Sequence, residues 1–339
     1  MAYRSFLEQA LHYFRRPRQG VPEGPVKSPA DWRGPGLRRA PERWTYALAP
    51  AEIAELRTAV DGVRAAGLAM GEVTRESFPL PTLAARVWQW RQAVAEGLGF
   101  LLVRGLPVRD WGREDAALAY WGLGHHLGVP GAQNPRDELL GQVVDYAEDR
   151  TNPLVRLYRT TANIGFHCDA ADVVGLLCLQ TAREGGESRI ASSVAIYNEI
   201  LRRAPSLARR LFEPFMLDRR GEEPPGEPGW VPMHATCWGG DVLRTFYHSE
   251  YFRSAARFAA GGRLDDAAVA ALDLYDALAA SPEFHLDMQL APGDMQFISN
   301  HTIVHARTEY RDWPEKERKR HLLRLWLSLE QGRQTDPDQ

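Results

Sequence analysis

His167 and Asp169 stand two residues apart in "NIGFHCDAADVVGLLCLQ", residues 163–180, at the entrance to an apolar run. In a strand, residues i and i+2 point to the same face, so both side chains would converge on one point while Cys168 turns the other way. Two ligands alone do not make a metal site, so the other histidines have to be weighed for a third. His125 and His126, in "GLGHHLG", fall at a helix end, and His12, His234, His248, His285 and His321 have no ligand spacing. The segment "PGDMQFISNHTIVHARTEY" differs, with a Pro-Gly-Asp turn, a strand, an Asn-His corner and a second strand. His301 and His305 compete here. His301 falls at the corner, which suits a turn or hydrogen-bonding role, whereas a residue on the following strand, as His305 is, can be aimed into a barrel. His167, Asp169 and His305 would make two histidines and a carboxylate on one face of a metal, the donor set of non-haem Fe(II) oxygenases. The plainer alternative is a hydrogen-bonded His167–Asp169 pair with His305 in the core.

Fifteen residues past His305 begins "RHLLRLWLSL". As a strand it puts Arg320, Leu322, Arg324 and Trp326 on one face. Two arginines on a face suited to burial need anionic partners, because an unpaired buried charge is costly. The planar guanidinium fork grips a carboxylate through two hydrogen bonds. A 2-oxo diacid would meet both needs, one end chelating iron and the other meeting an arginine. Internal Asp or Glu partners would serve either arginine singly.

The elements around these segments fall into two regions. Residues 17–43 are rich in proline and glycine and read as an irregular arm, wrapped on the body or loose. Before them, "MAYRSFLEQALHYFRR" places Tyr3, Phe6, Leu7, Ala10, Leu11 and Phe14 on one helical face and reads as a short docking helix. It has no continuous apolar stretch of the secretory kind. Helices are expected from Pro50, over 80–99 and over 113–128, with "FLLVRGLPV" a buried strand. Beyond about residue 140 short strand-like runs dominate: "GQVVDYA", "VRLYRT", "VVGLLCLQ", "SRIASSVA", "LRTFYH", "FHLDMQL", "MQFISN", "TIVHART" and "LLRLWLSL". One helical insert, "DDAAVAALDLYDALAAS", interrupts them. This pattern points to a mainly β sandwich or barrel with flanking α-helices outside. No linker divides the chain, so residues 1–43 form the arm and 44–339 one domain.

Composition narrows the partners. A net charge of -3 and a pI near 6.4 give no reason to expect nucleic acid or an anionic membrane. No apolar run is long enough to span a bilayer. Three cysteines without a C-x-x-C fit free thiols in a reducing cytoplasm.

The sequence resembles the taurine dioxygenase-like (TauD/TfdA, clavaminate-synthase-like) family of Fe(II)/2-oxoglutarate-dependent oxygenases. The resemblance runs from about residue 50 to 329 through "GFLLVRGLPV", "YWGLGHHLG", "FHCDAADVVGLLCLQ", "GGESRIASS", "PGDMQFISNHTIVHART" and "RHLLRLWLSL". It implies a double-stranded β-helix (jelly roll) core, with Fe(II), 2-oxoglutarate and O2 as cofactor and co-substrates. His167, Asp169 and His305 match the iron ligands, and Arg320 the arginine that holds the far carboxylate of 2-oxoglutarate. Ser188 falls where relatives often have a threonine that helps bind that co-substrate. Asn163 matches a position near substrate in some relatives, and Arg324 is left as a substrate-anion site or a structural ion pair. Cys168 stands where relatives often have a small polar residue. Residues 218–232 have the composition of a mobile lid or an exposed loop.

The implied reaction is hydroxylation of a C–H bond in a small amino-acid-like or carboxylate substrate, with release of succinate and CO2. The same chemistry can desaturate or close a ring in natural-product biosynthesis. Asp169 speaks against halogenation, since halogenases of this kind generally lack the carboxylate. A catalytically silent jelly-roll binding module would be expected to have a broken triad or no Arg320, and both are intact.

Overall fold

The computed structural model describes residues 3–15, 18–148, 155, 157–223, 225–258 and 262–330. Eleven strands make the two main sheets: β1 (Thr45–Ala47), β2 (Phe100–Arg104), β3 (Val129–Gly131), β4 (Gly141–Val143), β5 (Ile164–His167), β6 (Val173–Gln180), β7 (Ser188–Ser192), β8 (His285–Met288), β9 (Met295–Ser299), β10 (Ile303–Arg307) and β11 (His321–Ser328). The larger sheet runs β1-β2-β9-β6-β11-β3, with β4 also beside β11; the smaller runs β8-β7-β10-β5. Within these sheets β1 and β2 pair in parallel and the other pairs are antiparallel.

Strand alternation explains how the sheets stack. Leu102, Val174, Ile298, Leu322 and Trp326 of the larger sheet meet Ile190, Leu286, Met288 and Ile303 of the smaller in one buried cluster. The opposite faces are apolar too. Leu323, Leu325 and Leu327, with Leu101 and Val103, pack against helices Pro50–Ala65, Leu83–Ala95 and Val108–Leu127. Ala191 and Val304 pack against helices Ser193–Arg203 and Asp266–Ala280. Burial on both faces is why "VVGLLCLQ" and "LLRLWLSL" read as near-continuous apolar runs. The result is a jelly roll sheathed in helices.

Several local expectations change. "VRLYRT" contributes no described strand; Leu157–Arg159 is a 3-10 turn. "SRIASSVA" is a strand only to Ser192, whose side chain accepts from Ala195 N and caps the helix that follows. The helix Phe6–Phe14 docks through Gln9 and Tyr13, leaving Leu7 65% and Leu11 42% exposed. Polar anchors outweigh the apolar stripe: Ser328 donates to Gln9 Oε1 at 2.9 Å, and the Tyr13 hydroxyl donates to Thr245 O and Asn300 O. The described part of the arm lies on the body. Val26, Trp32 and Leu37 are buried, and the Trp32 indole donates to Leu98 O at 2.8 Å.

Candidate metal centre

β5 ends on His167, directly across from His305 on β10, and Asp169 follows the strand end. One ligand atom from each of His167, Asp169 and His305 lies within 4.8 Å of the others. His167 Nδ1 is 2.9 Å from Gly165 O, so that nitrogen carries the proton and Nε2 is the free lone pair. Asp169 is positioned from several sides. Its backbone N donates to Asn300 Oδ1 at 3.1 Å, while Asn300 Nδ2 donates to Ala171 O at 2.9 Å. Its carboxylate accepts from Trp326 Nε1 at 3.1 Å and from Arg324 Nη1, 3.3 Å from each oxygen.

Burial by itself would raise the Asp169 carboxyl, but Arg324, then His305 and His167, outweigh it and hold it well below the usual carboxylate range. Burial pushes the His305 imidazole down to about 3, with the neighbouring His167 adding to the effect. A neutral imidazole and an ionised carboxylate are the protonation states a metal requires. Two nitrogens and one oxygen on one side suit non-haem Fe(II). Among the described residues this is the one cluster of three or more such donors close enough to hold an ion.

His301 sits in the turn before β10, with Nε2 2.8 Å from Asp172 Oδ1 and its ring stacked on Tyr13. Cys168 faces away from the cluster into the apolar layer behind the smaller sheet, where burial pushes its thiol up to about 12.

Arg320 immediately precedes β11, whose register against β6 shifts between His321 and Leu322, and is 5% exposed. Its Nη1 is buried without a hydrogen-bond partner, and no described carboxylate forms an ion pair with it. Gly186 makes room for it. Its φ of 76° is left-handed, and a Cβ there would lie 2.9 Å from Arg320 Nε. Burial lowers the Arg320 pKa. Its Nη2 donates to Gly186 O at 3.4 Å, and a buried guanidinium left with an unsatisfied nitrogen fits a carboxylate ligand. Ser188 is buried on β7 and donates to Gln296 Oε1 at 2.9 Å. Asn163 is exposed just before β5. Arg324 is engaged with Asp169 and with Gln133 Oε1 at 2.9 Å.

Of residues 218–232, residue 224 falls outside the described residues, and Asp218 and residues 230–232 lie in the strands of a hairpin in which Pro214–Asp218 pairs with Trp230–His234. Its base is anchored, since buried Asp218 accepts from Arg257 Nε at 2.8 Å and Nη2 at 2.9 Å. The Arg220 guanidinium lies 4.4 Å over the Tyr251 ring, Tyr251 stacks on His248 at 3.6 Å, and His248 is 5.1 Å from the His167 ring. No sequence spacing signalled His248, Asn300 or Gln133, which reach the site through turns and cross-strand contacts. Trp326 was legible, being on the same strand face as Arg324.

Residues 64–326 match the family described as "Taurine catabolism dioxygenase TauD, TfdA family". The chain belongs to the TauD/TfdA family. It is therefore a non-haem Fe(II) oxygenase that uses 2-oxoglutarate and O2. Among TauD/TfdA relatives it is 33% identical over 313 residues to FR-33289 synthase from Streptomyces rubellomurinus (strain ATCC 31215), covering 91% of this chain and 92% of that protein. An asparagine oxygenase solved with Fe(II), 2S,3S-3-hydroxyasparagine and succinate shares the fold, with TM-score 0.67 and 16% identity over 84% of this chain and 93% of that one. The non-haem iron oxygenase OrfP, solved with Fe and alpha-ketoglutaric acid, has TM-score 0.60 and 16% identity over 84% and 94% of the two chains. Among the described residues, no helix is long and apolar enough to cross a membrane.

Proposed function

We propose that His167, Asp169 and His305 hold the iron, that Arg320 grips the distal carboxylate of 2-oxoglutarate, and that the enzyme hydroxylates a C–H bond of a small amino-acid-like or carboxylate substrate. The observation that carries this reading is the convergence of the three ligand atoms in a protein whose buried Arg320 pairs with no carboxylate among the described residues. Bound iron with 2-oxoglutarate and O2 supplies oxidative decarboxylation to succinate and CO2, coupled to oxygen transfer into the substrate. The protein's part is geometry and charge. Gly165 orients His167, while Asn300, Trp326 and Arg324 orient Asp169. Arg320 aligns the co-substrate, with the Ser188 hydroxyl near its pocket. Asn163 borders the substrate space. Arg324 serves first as the partner of Asp169, and a substrate anion that reached it would compete for the same Nη1.

Similarity to FR-33289 synthase supports a role in specialised metabolism, and solved relatives holding 2S,3S-3-hydroxyasparagine or (3S)-hydroxy-L-Arg are in keeping with an amino-acid-like substrate. The cysteines are all free, which supports a cytoplasmic location. The test is a mass-spectrometric screen of protein with Fe(II), 2-oxoglutarate, O2 and a panel of amino acids and related carboxylates. Succinate together with a product 16 Da heavier than its substrate is expected. A product 2 Da lighter would reassign the outcome to desaturation or ring closure. Metal-loaded protein that yields no succinate under any condition would refute the reading.

A further inference from the structure

Arg307 lies two residues beyond His305 on β10, and period two places both on the same face. Across the sheet it stands opposite Ser188. It is 6% exposed, and one nitrogen, Nη2, donates to Thr160 O at 2.8 Å and also to Ala162 O. Its Nε and Nη1 are buried without partners, like Nη1 of Arg320. Both guanidiniums lie close to one ring: Arg307 is 4.8 Å and Arg320 5.1 Å from the Tyr310 centroid. No described carboxylate pairs with either, and Asp312 and Asp145 act on them only at a distance.

Two buried cations beside one ring repel each other, and each leaves N–H groups unsatisfied. A fold does not keep such a pair cheaply unless an anion joins them. A carboxylate has two oxygens with about four lone-pair sites, enough to accept from both forks at once. We infer that Arg307 is a second arginine of the 2-oxoglutarate pocket, sharing the distal carboxylate with Arg320. Its third nitrogen ties that carboxylate to the 160–162 backbone, which leads into β5 and His167. Co-substrate binding and the placement of the first histidine are thus joined through one side chain.

The inference rests on the assignment of Arg320 to 2-oxoglutarate, and a ligand pair separates the two ideas. 2-Oxovalerate keeps the chelating 2-oxo acid but carries a methyl group where 2-oxoglutarate has its distal carboxylate. Binding of each to Mn(II)-loaded protein, measured by calorimetry, gives an affinity ratio that reports the distal carboxylate alone. Wild-type protein should favour 2-oxoglutarate strongly, and Arg320→Gln should remove most of that preference. Arg307→Gln should lower the ratio roughly ten- to a hundredfold, the factor for one charge-assisted hydrogen bond. Arg307→Lys, which keeps charge without the planar fork, should fall between. If Arg307 only pins the 160–162 segment, both ligands weaken together. A wild-type ratio in whichever Arg307 variant folds therefore overturns the inference. A wild-type protein that does not discriminate between the ligands overturns the Arg320 assignment instead.

Discussion

Replacing Arg324 with glutamine should destabilise the metal-free protein more than the metal-loaded one. Arg324 Nη1 is 3.3 Å from both oxygens of Asp169, and the two side chains are 12% and 11% exposed. Removing one partner of a buried ion pair costs about 3–5 kcal/mol, because the other charge is left uncompensated. These contacts are longer than an ideal charge-assisted bond, and the Trp326 indole still donates to Asp169 at 3.1 Å, so the low end of that range applies. For a chain of this length about 3 kcal/mol corresponds to a fall of roughly 4 °C in Tm. A bound divalent cation supplies its own compensation for the carboxylate, so the loss with Mn(II) present should shrink to about 1 kcal/mol, or roughly 1.5 °C. The stabilisation conferred by Mn(II) should accordingly be greater in Arg324→Gln than in wild type, as read by thermal melts with and without the ion. Equal losses in the two states, or none in either, would refute the view that Arg324 compensates Asp169.

His167→Ala, Asp169→Ala and His305→Ala should each abolish stoichiometric Mn(II) binding by calorimetry. His301→Ala should keep the metal and lose stability, because it leaves buried Asp172 short of a partner and Tyr13 without its stack; the reverse outcome would exchange the roles of the two histidines. Removing residues 1–40 deletes Tyr13, Val26, Trp32 and Leu37, all buried, at about 1.5–3 kcal/mol each, against a typical total stability of about 5–15 kcal/mol. The truncated chain should show no cooperative thermal transition, and a melt within a few degrees of the full chain would contradict that. Burial pushes His125 and His321 down to about 4 and lowers His126, so the unfolded chain binds more protons than the folded one below pH 6.5. Stability should be fully present above pH 6.5 and decline as pH falls towards 4, with a shallower decline in His321→Gln, as measured by urea unfolding at several pH values.

Features whose signal lies in neighbouring residues could be read along the chain. The spacing of two between His167 and Asp169, the glycine pair before Ser188 and the apolar runs of β6 and β11 are properties of neighbouring residues. Pleat and φ preference act on neighbouring residues directly, so ligand candidates, a mainly β sandwich or barrel and most long helices were legible, while the jelly roll itself came from the family resemblance. "VRLYRT" and "SRIASSVA" misled because β-branched and apolar residues suit a strand and a buried helix alike. In the second case Ser192, as an N-cap, was the overlooked stop signal. The docking face of Phe6–Phe14 could not be read from its apolar stripe, because Gln9 and Tyr13 find partners on Ser328, Thr245 and Asn300, hundreds of residues away.

It took the folded chain to put His305 rather than His301 beside His167 and Asp169, to join Arg324 to Asp169, and to bring Arg307 and Arg320 to the same tyrosine. Each is a pairing across sheets or turns, set by register and by which buried charges lack a partner. A hydrogen bond or ion pair depends on distance in space, while a sequence reports only distance along the chain.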